Sequence, residues 1–359
     1  MKLKTLDLFS GIGGFALALQ DFTTPIGYCD IDPVCQNILK TCIHKKRIKK
    51  APIYADVSAL AQQPHKICAD EIDLVVGGFP CQDISVMNHK TIGIHGSRSK
   101  LFFDALHLAH AKNASFLFFE NSPNLLNRGI DDIENALIQF GYPNFVYGVF
   151  SASHVGAPHV RKRFFILAAR ADNTKLTGVY RKLAKHQYTH DHNVHWIKHP
   201  FPPQDRLIPY TRQSFLDLRK RGMVLGNAIV PQCARYAFLF LMRKMAIENA
   251  HGLVYHQNAG VSDTYEFRMI IPAEKFRPSF DVQTPIFYKK SWSTPLRNEW
   301  ITSCTNVSSS RATRILPNQV LYDPQSWHRK KKGARIFSDW IVNPNFVEWL
   351  MGFPQDWTK

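Results

Sequence analysis

The sequence predicts an α/β protein built on a doubly wound, mostly parallel sheet, with a second, smaller domain after it. Short apolar runs alternate with helix-forming stretches through the first half of the chain. The first run turns directly into the glycine-rich loop Ser10-Gly11-Ile12-Gly13-Gly14. Several runs end on an acid or a pair of glycines, as strands do when their carboxyl ends open onto a ligand site.

Leu3 to Phe9 reads as the first strand, and Ala16-Leu17-Ala18-Leu19-Gln20 as the helix after the loop. Strand, glycine turn and helix together cradle nucleotides, because glycines let the backbone approach and a helix N-terminus offers free N–H groups. The spacing Gly11-x-Gly13-Gly14 is not the dinucleotide G-x-G-x-x-G, which argues against a nicotinamide oxidoreductase. A second strand ends at Ile26-Gly27-Tyr28-Cys29-Asp30 and a third reaches Ile53-Tyr54-Ala55-Asp56. Acids at such strand ends suit ribose hydroxyls and an adenine amino group, and each can equally be a helix cap. The fourth run, Ile72 to Val76, leads into Gly77-Gly78-Phe79-Pro80-Cys81-Gln82. A cysteine presented there, after a proline that stiffens the turn, is placed to be a nucleophile; the plainer alternative is a buried structural thiol. Ser115 to Phe119, Phe145 to Phe150 and Arg163 to Ala168 continue the strand series.

A chain of 359 residues with 45% hydrophobic content can build a large core and points to two domains. Its formal net charge of +17 calls for a polyanion partner, nucleic acid before membrane, because the cations are spread along the chain. No apolar run approaches membrane-spanning length and no signal-peptide core follows Met1, so a cytoplasmic location is expected. Seven cysteines without a C-x-x-C pair argue against a disulfide framework and a common zinc site. The histidines between Lys185 and Pro200 are joined only by Asp191, and no metal is expected. The best linker candidate, Glu248 to Gly252, divides the chain into a first part, 1–248, a second part, 249–342, and a closing segment, 343–359, expected to pack back on the first part.

Asp7-Leu8-Phe9-Ser10-Gly11-Ile12-Gly13-Gly14-Phe15, then Gly78-Phe79-Pro80-Cys81-Gln82, Glu120-Asn121, Arg161-x-Arg163 and Gly226-Asn227-Ala228-Ile229-Val230-Pro231 form an ordered series. The series closely resembles the DNA (cytosine-5) methyltransferases of bacterial and phage restriction–modification systems. The resemblance implies the S-adenosylmethionine-dependent methyltransferase fold, S-adenosyl-L-methionine as cofactor, and a cytosine flipped out of double-stranded DNA as substrate. It also implies a restriction endonuclease as genetic partner and a monomer acting on DNA. Phe15 resembles the ring that packs on the cofactor's adenine. Asp30 stands for the acid on the ribose hydroxyls, Asp56 for the acid on the adenine amino group, Leu101 for a cofactor-contacting leucine and Asn227 for the asparagine near the methionine moiety. Phe9, Gly11, Gly13, Gly14, Ile31 and Pro80 complete the implied cofactor site. Cys81 is the implied nucleophile, Glu120 the residue that engages cytosine N3, and Arg161 with Arg163 the pair that steadies the flipped base and the catalytic loop.

The chemistry accounts for these residue types. Cytosine C5 is too electron-poor to take a methyl group until a thiolate adds at C6, and positive surroundings lower a thiol's pKa. Glu120 draws charge from the ring at N3, a general-acid contribution typically worth about 10² to 10⁴ in rate. The sequence departs from the family's pattern in three places. His159 stands where glutamine is usual and Ser122 where valine is usual. The stretch Asn343 to Pro354, which resembles a motif that normally precedes Gly-Asn, comes after it here. The C-terminal region mixes Trp292-Ser293-Thr294-Pro295 and Arg329-Lys330-Lys331-Lys332 as a DNA-reading module does; the same charge run can equally be a solvated loop. The rivals are an RNA cytosine-5 methyltransferase of the same fold and a non-catalytic DNA-binding protein.

Overall fold

The computed structural model describes residues 2–69, 71–80, 99–127, 129–171, 207–209, 211–250 and 340–359. Seven strands form one sheet in the order β3-β2-β1-β4-β5-β7-β6. They are β1 (Leu3–Leu8), β2 (Thr23–Cys29), β3 (Ile53–Tyr54), β4 (Leu74–Gly78), β5 (Phe116–Asn121), β6 (Asn144–Ser151) and β7 (Lys162–Ala169). Each coincides, to within a few residues at its ends, with a run expected from the sequence. All neighbouring pairs on the β3 to β5 side are parallel, while β7 runs antiparallel to both β5 and β6. The chain reverses its winding between β1 and β4, the switch point at which open α/β sheets bind ligands beyond their carboxyl ends. The single antiparallel strand has a direct consequence: the start of β7 lies at the same edge as the end of β5.

The helices α1 (Gly14–Leu19), α2 (Pro33–His44), α3 (Val57–Gln62), α4 (Ser99–Ala111) and α5 (Ile130–Gln139) follow the strands. Buried apolar residues divide between the two faces of the sheet, as its two-sided covering requires. Leu3, Phe116, Phe118 and Phe165 belong to one cluster; Leu6, Leu8, Leu117 and Phe119 belong to the other. Alternate residues of one strand point to opposite faces, so β1 and β5 each feed both layers. Phe118 stacks on Phe165 at 5.4 Å and meets Phe238 edge-on at 5.1 Å.

Phe238 lies on α7 (Pro231–Ala250), which follows α6 (Arg212–Asn227). The stretch Ser214–Ala246 is long and apolar enough by composition to cross a membrane, which the sequence reading did not anticipate; most of it is buried within the fold. Its apolar character is spent on the core, where α7 covers β6 and β7. The expected linker around 248–252 falls at the end of α7, and residues 251–339, which hold most of the expected DNA-reading part, lie outside the described residues.

The closing segment returns to the first part. Leu207–Pro209 (β8) pairs antiparallel with Trp340–Val342 (β9), and α8 (Pro344–Leu350) follows. Phe346, Leu350, Phe353 and Trp357 are fully buried. Glu348, also fully buried, accepts from Arg221 Nη2 at 3.2 Å, from the Thr358 backbone at 2.8 Å and from Thr358 Oγ1 at 2.6 Å, all at Oε1. Trp357 Nε1 donates to the carbonyl of Ile12 at 2.7 Å, so the end of the segment supports the loop after β1.

Candidate active site

The loop after β1 is shaped by its backbone. Phe9 sits at φ 54, Gly11 at φ 54 and Gly13 at φ 84. The left-handed region suits the glycines, whereas an aromatic residue held there is strained, a state that clusters at functional sites. Gly14 is required for a different reason: a β-carbon there would stand 2.6 Å from Ile229 Cγ1, in the stretch after Asn227. Ser10 ties the loop to β2, donating from Oγ to the Asp7 carbonyl at 2.6 Å and accepting from the Cys29 backbone at 3.0 Å.

Asp30 follows β2, and each of its oxygens accepts a backbone N–H, from Gly11 at 2.7 Å and from Asp32 at 2.9 Å. Burial nonetheless raises its pKa, with those hydrogen bonds acting in the opposite direction. It is therefore a staple of the glycine loop, and each oxygen keeps a second lone pair for a ligand. Asp56 is the N-cap of α3, accepting from Ser58 N at 2.8 Å, which is the capping alternative left open by the sequence. Ile31 is 76% exposed beside Asp30. Leu101 is half-buried in the first turn of α4, Pro80 is exposed after β4, and Asn227 is exposed at the last position of α6.

Phe15 is 4% exposed and packs edge-on against Phe118 at 5.7 Å, and it also lines an open cavity beside Asp7, Tyr28 and Val76. Phe9 and Ile31 offer further apolar surface at the sheet edge.

The catalytic edge is set by register. Gly78 on β4 lies opposite Glu120 on β5, and Glu120 lies opposite Phe165 on β7. Arg163 Nε consequently meets Glu120 Oε1 at 2.9 Å, with 12% of the glutamate side chain exposed. Burial raises the Glu120 pKa, opposed first by Arg163 and then by Arg161. The next residue, Asn121, is buried and donates from Nδ2 to the Phe79 carbonyl at 3.1 Å, tying β5 to the loop that carries Pro80. Ser122 accepts from Asn124 N at 3.4 Å, a helix-capping role that valine could not fill. Cys81 lies outside the described residues, as does the histidine-rich stretch from Lys185 to Pro200.

Arg161 and Arg163 divide their work. Arg161 is 2% exposed and its Nη2 donates to the carbonyls of Gly226 at 3.0 Å and Ala228 at 2.8 Å, which fixes the backbone on both sides of Asn227. His159 is 1% exposed and its Nε2 pairs with the Leu350 carbonyl at 3.0 Å. Burial, with Arg161 beside it, holds the ring neutral by lowering its pKa to about 3, so Nε2 carries the proton it donates. Gln232 Nε2 donates to the Gly352 carbonyl at 2.8 Å. The stretch that stands out of order in the sequence thus lies in space beside the Gly226 to Pro231 turn. Sequence reasoning missed the links from His159 to Leu350 and from Trp357 to Ile12, and no local signal marks either of them.

A sequence model of C-5 cytosine-specific DNA methylase matches residues 3–358. The chain is 31% identical over 393 aligned residues to type II methyltransferase M.CviJI of Paramecium bursaria Chlorella virus IL3A, covering 99% of this chain and 98% of that protein. It is 28% identical to type II methyltransferase M.HhaI of Haemophilus parahaemolyticus over 64% of each chain. It is 34% identical to type II methyltransferase M2.BsuMI of Bacillus subtilis, covering 48% of this chain and 43% of that one. The crystal structure of S. pombe Dnmt2 methyltransferase matches at 18% identity over 61% of this chain and 67% of that one, with a TM-score of 0.41. Matched almost from end to end, this chain belongs to the C-5 cytosine-specific DNA methylase family.

Proposed function

We propose that this DNA (cytosine-5) methyltransferase acts through Cys81 as nucleophile and Glu120 as the acid at cytosine N3, with S-adenosyl-L-methionine bound in the loop after β1. The observation that carries the assignment is Glu120, largely buried, raised in pKa and ion-paired to Arg163 at the carboxyl edge of the sheet. A carboxyl group that holds its proton more tightly than usual is suited to donate at N3 as charge builds on the ring. Arg163 keeps that carboxyl in one orientation, and Arg161 positions the Asn227 turn from behind.

The cofactor cradle suits an adenosyl group. The space beside Gly11 is open, with no atom within 4 Å of an added β-carbon, and the strand-end acids Asp30 and Asp56 offer acceptors to hydroxyl and amino donors. Phe9, Gly13, Gly14, Phe15, Ile31, Pro80, Leu101 and Asn227 complete the proposed set. When bound, S-adenosylmethionine supplies an electrophilic methyl group. The Cys81 thiolate adds at C6 of the flipped cytosine as Glu120 protonates N3, which makes C5 nucleophilic toward that methyl group. Once C5 carries the methyl group, a base takes the C5 proton, the Cys81 thiolate leaves C6, and N3 returns its proton to Glu120. The target base reaches these groups only out of the helical stack.

The whole-length relative is named a type II methyltransferase, which supports a role beside a restriction endonuclease. A phage relative is named an orphan methyltransferase. We place the reading of the target sequence in residues 249–342, and the enzyme on DNA as a monomer. Bisulfite sequencing of DNA from cells expressing the native chain and Cys81→Ser tests the central assignment. The native chain should leave protected cytosines at one short sequence and Cys81→Ser none; equal protection by both would sink the role of Cys81.

A further inference from the structure

We infer that the methyltransferase carries a second, sequence-independent contact for the phosphate backbone of duplex DNA, at the edge of the sheet opposite its active site. The active-site groups follow the carboxyl ends of β1, β2, β4 and β5. At the other edge, Lys2 precedes β1 and Thr23 opens β2, one strand length away. An open cavity of about 1030 Å³ reaches from there along the sheet to Asp7, Phe15 and Val76, and Lys2, Lys40, Lys46, Lys49 and Lys50, all exposed, line it at this edge.

Three observations separate this rim from an ordinary solvated face. First, Lys2 and Lys49 are anchored on neighbouring carbonyls, Lys2 Nζ on Gln20 at 2.9 Å and Lys49 Nζ on Thr23 at 2.6 Å. That anchoring turns two ammonium groups toward each other, and the Lys49 pKa is lowered by burial and then by Lys2. Second, Asp21, the carboxylate that acts on Lys49 and also lines the cavity, is already paired with Arg235 at 2.8 Å. Two converging ammonium groups whose neighbouring carboxylate is engaged by an arginine are an arrangement that an anionic oxygen stabilises. Third, Lys46 occupies a position made for glycine. The C-terminus of α2 closes with Arg47 N on Cys42 O at 2.8 Å and Lys46 N on Ile43 O at 3.0 Å, which puts Lys46 at φ 55. Glycine is the usual residue at that point of such a cap, and here the chain keeps a lysine despite the strained backbone.

A row of lysines presented from the start of β1, the end of α2 and the turn after it fits a repeating polyanion better than a single ion, and the enzyme's own substrate is one. The site reads no bases, because phosphate contacts position a duplex without specifying its sequence.

The test compares the native chain with Lys2→Gln/Lys46→Gly/Lys49→Gln, none of which belongs to the proposed catalytic or cofactor site. Short DNA duplexes of random sequence are titrated at low salt without cofactor, and bound duplexes per protein are counted by native mass spectrometry. The native chain should take up one duplex more than the variant. On a long duplex the variant's log–log salt dependence should be shallower by about two to three, at roughly 0.9 for each phosphate no longer neutralised. Equal duplex counts with equal slopes would overturn the proposal. Should the triple variant not fold, Lys46→Gly alone, which relieves the turn, must still lower the slope by about 0.9, the share of one phosphate; an unchanged slope would overturn it equally. The count is independent of the chemistry at Cys81, so failure here and failure of the catalytic assignment are told apart.

Discussion

A β-carbon on Gly78 would stand 2.8 Å from Oε2 of Glu120, the residue directly across from it in the β4–β5 pairing. The glycine therefore gives the carboxylate its place. Gly78→Ala should push that group off its contact with Arg163 and cost turnover at least about tenfold, within the range spanned by losing a general acid. Affinity for S-adenosylmethionine, measured by calorimetry, should change little. Glu120→Gln should show the larger loss. A Gly78→Ala enzyme with native single-turnover rates would mean that the Glu120 position is not critical.

His159 sets an acid limit on stability. Its folded pKa of about 3 lies below the ordinary histidine value of 6.5, so the unfolded chain binds the extra proton first as pH falls. Stability should drop by about 1.4 kcal/mol per pH unit on descending from near 6.5, over and above other groups. His159→Gln keeps a donor for the Leu350 carbonyl and does not titrate. Melts from pH 7 to pH 4.5 should show a shallower decline for the glutamine variant, and parallel curves would contradict the assignment.

Asp7 works in the opposite sense. Its carboxylate is buried, and burial raises its pKa well above the ordinary value, with the Ser10 hydroxyl beside it acting in the opposite direction. The folded chain therefore holds this proton longer than the unfolded one, and stability is lost as pH rises from about 4 through the folded value. Asp7→Asn, which needs no proton, should gain on the native chain by about 1.4 kcal/mol for each pH unit between about 4 and the folded value, with the gain fading toward pH 4. Destabilisation at both pH values would show that the carboxylate has a structural partner.

Arg221 and Glu348 join α6 to the closing segment in a buried pair. Removing one partner leaves an uncompensated charge, so Glu348→Leu should cost about 3–5 kcal/mol in denaturant unfolding. Arg221→Met with Glu348→Leu should recover most of that loss. A double variant no better than the single one would place the energy in Thr358 and the surrounding packing.

The sheet was legible in the sequence wherever the signal was local. The glycine loop, the strand ends at Asp30 and Gly78, and the runs that became β5 to β7 all carry their own punctuation. The direction of β7 was not legible, because an apolar run has no polarity, and yet that direction is what brings Arg163 to Glu120. For a related reason the packing of Phe15 was not legible: its place in a motif is visible in the sequence, whereas its edge-on contact with Phe118 is set by the sheet. Asp56 stayed ambiguous because a strand-end acid and a helix cap have the same local sequence. The contacts of residues 340–359 join positions far apart in the chain, and no short-range pattern encodes them.

The hydrogen bond from Trp357 to Ile12 spans 345 positions. It bears on when, during its own production, the enzyme becomes competent. The glycine loop leaves the ribosome well before one of its supports, which lies 345 positions further along the chain. A partly made chain can pair its early strands and still lack the tryptophan that braces the loop after β1. Methyl transfer would then be delayed until translation has passed Trp357, and a prematurely terminated chain would have a loosely held cradle in place of a working catalyst.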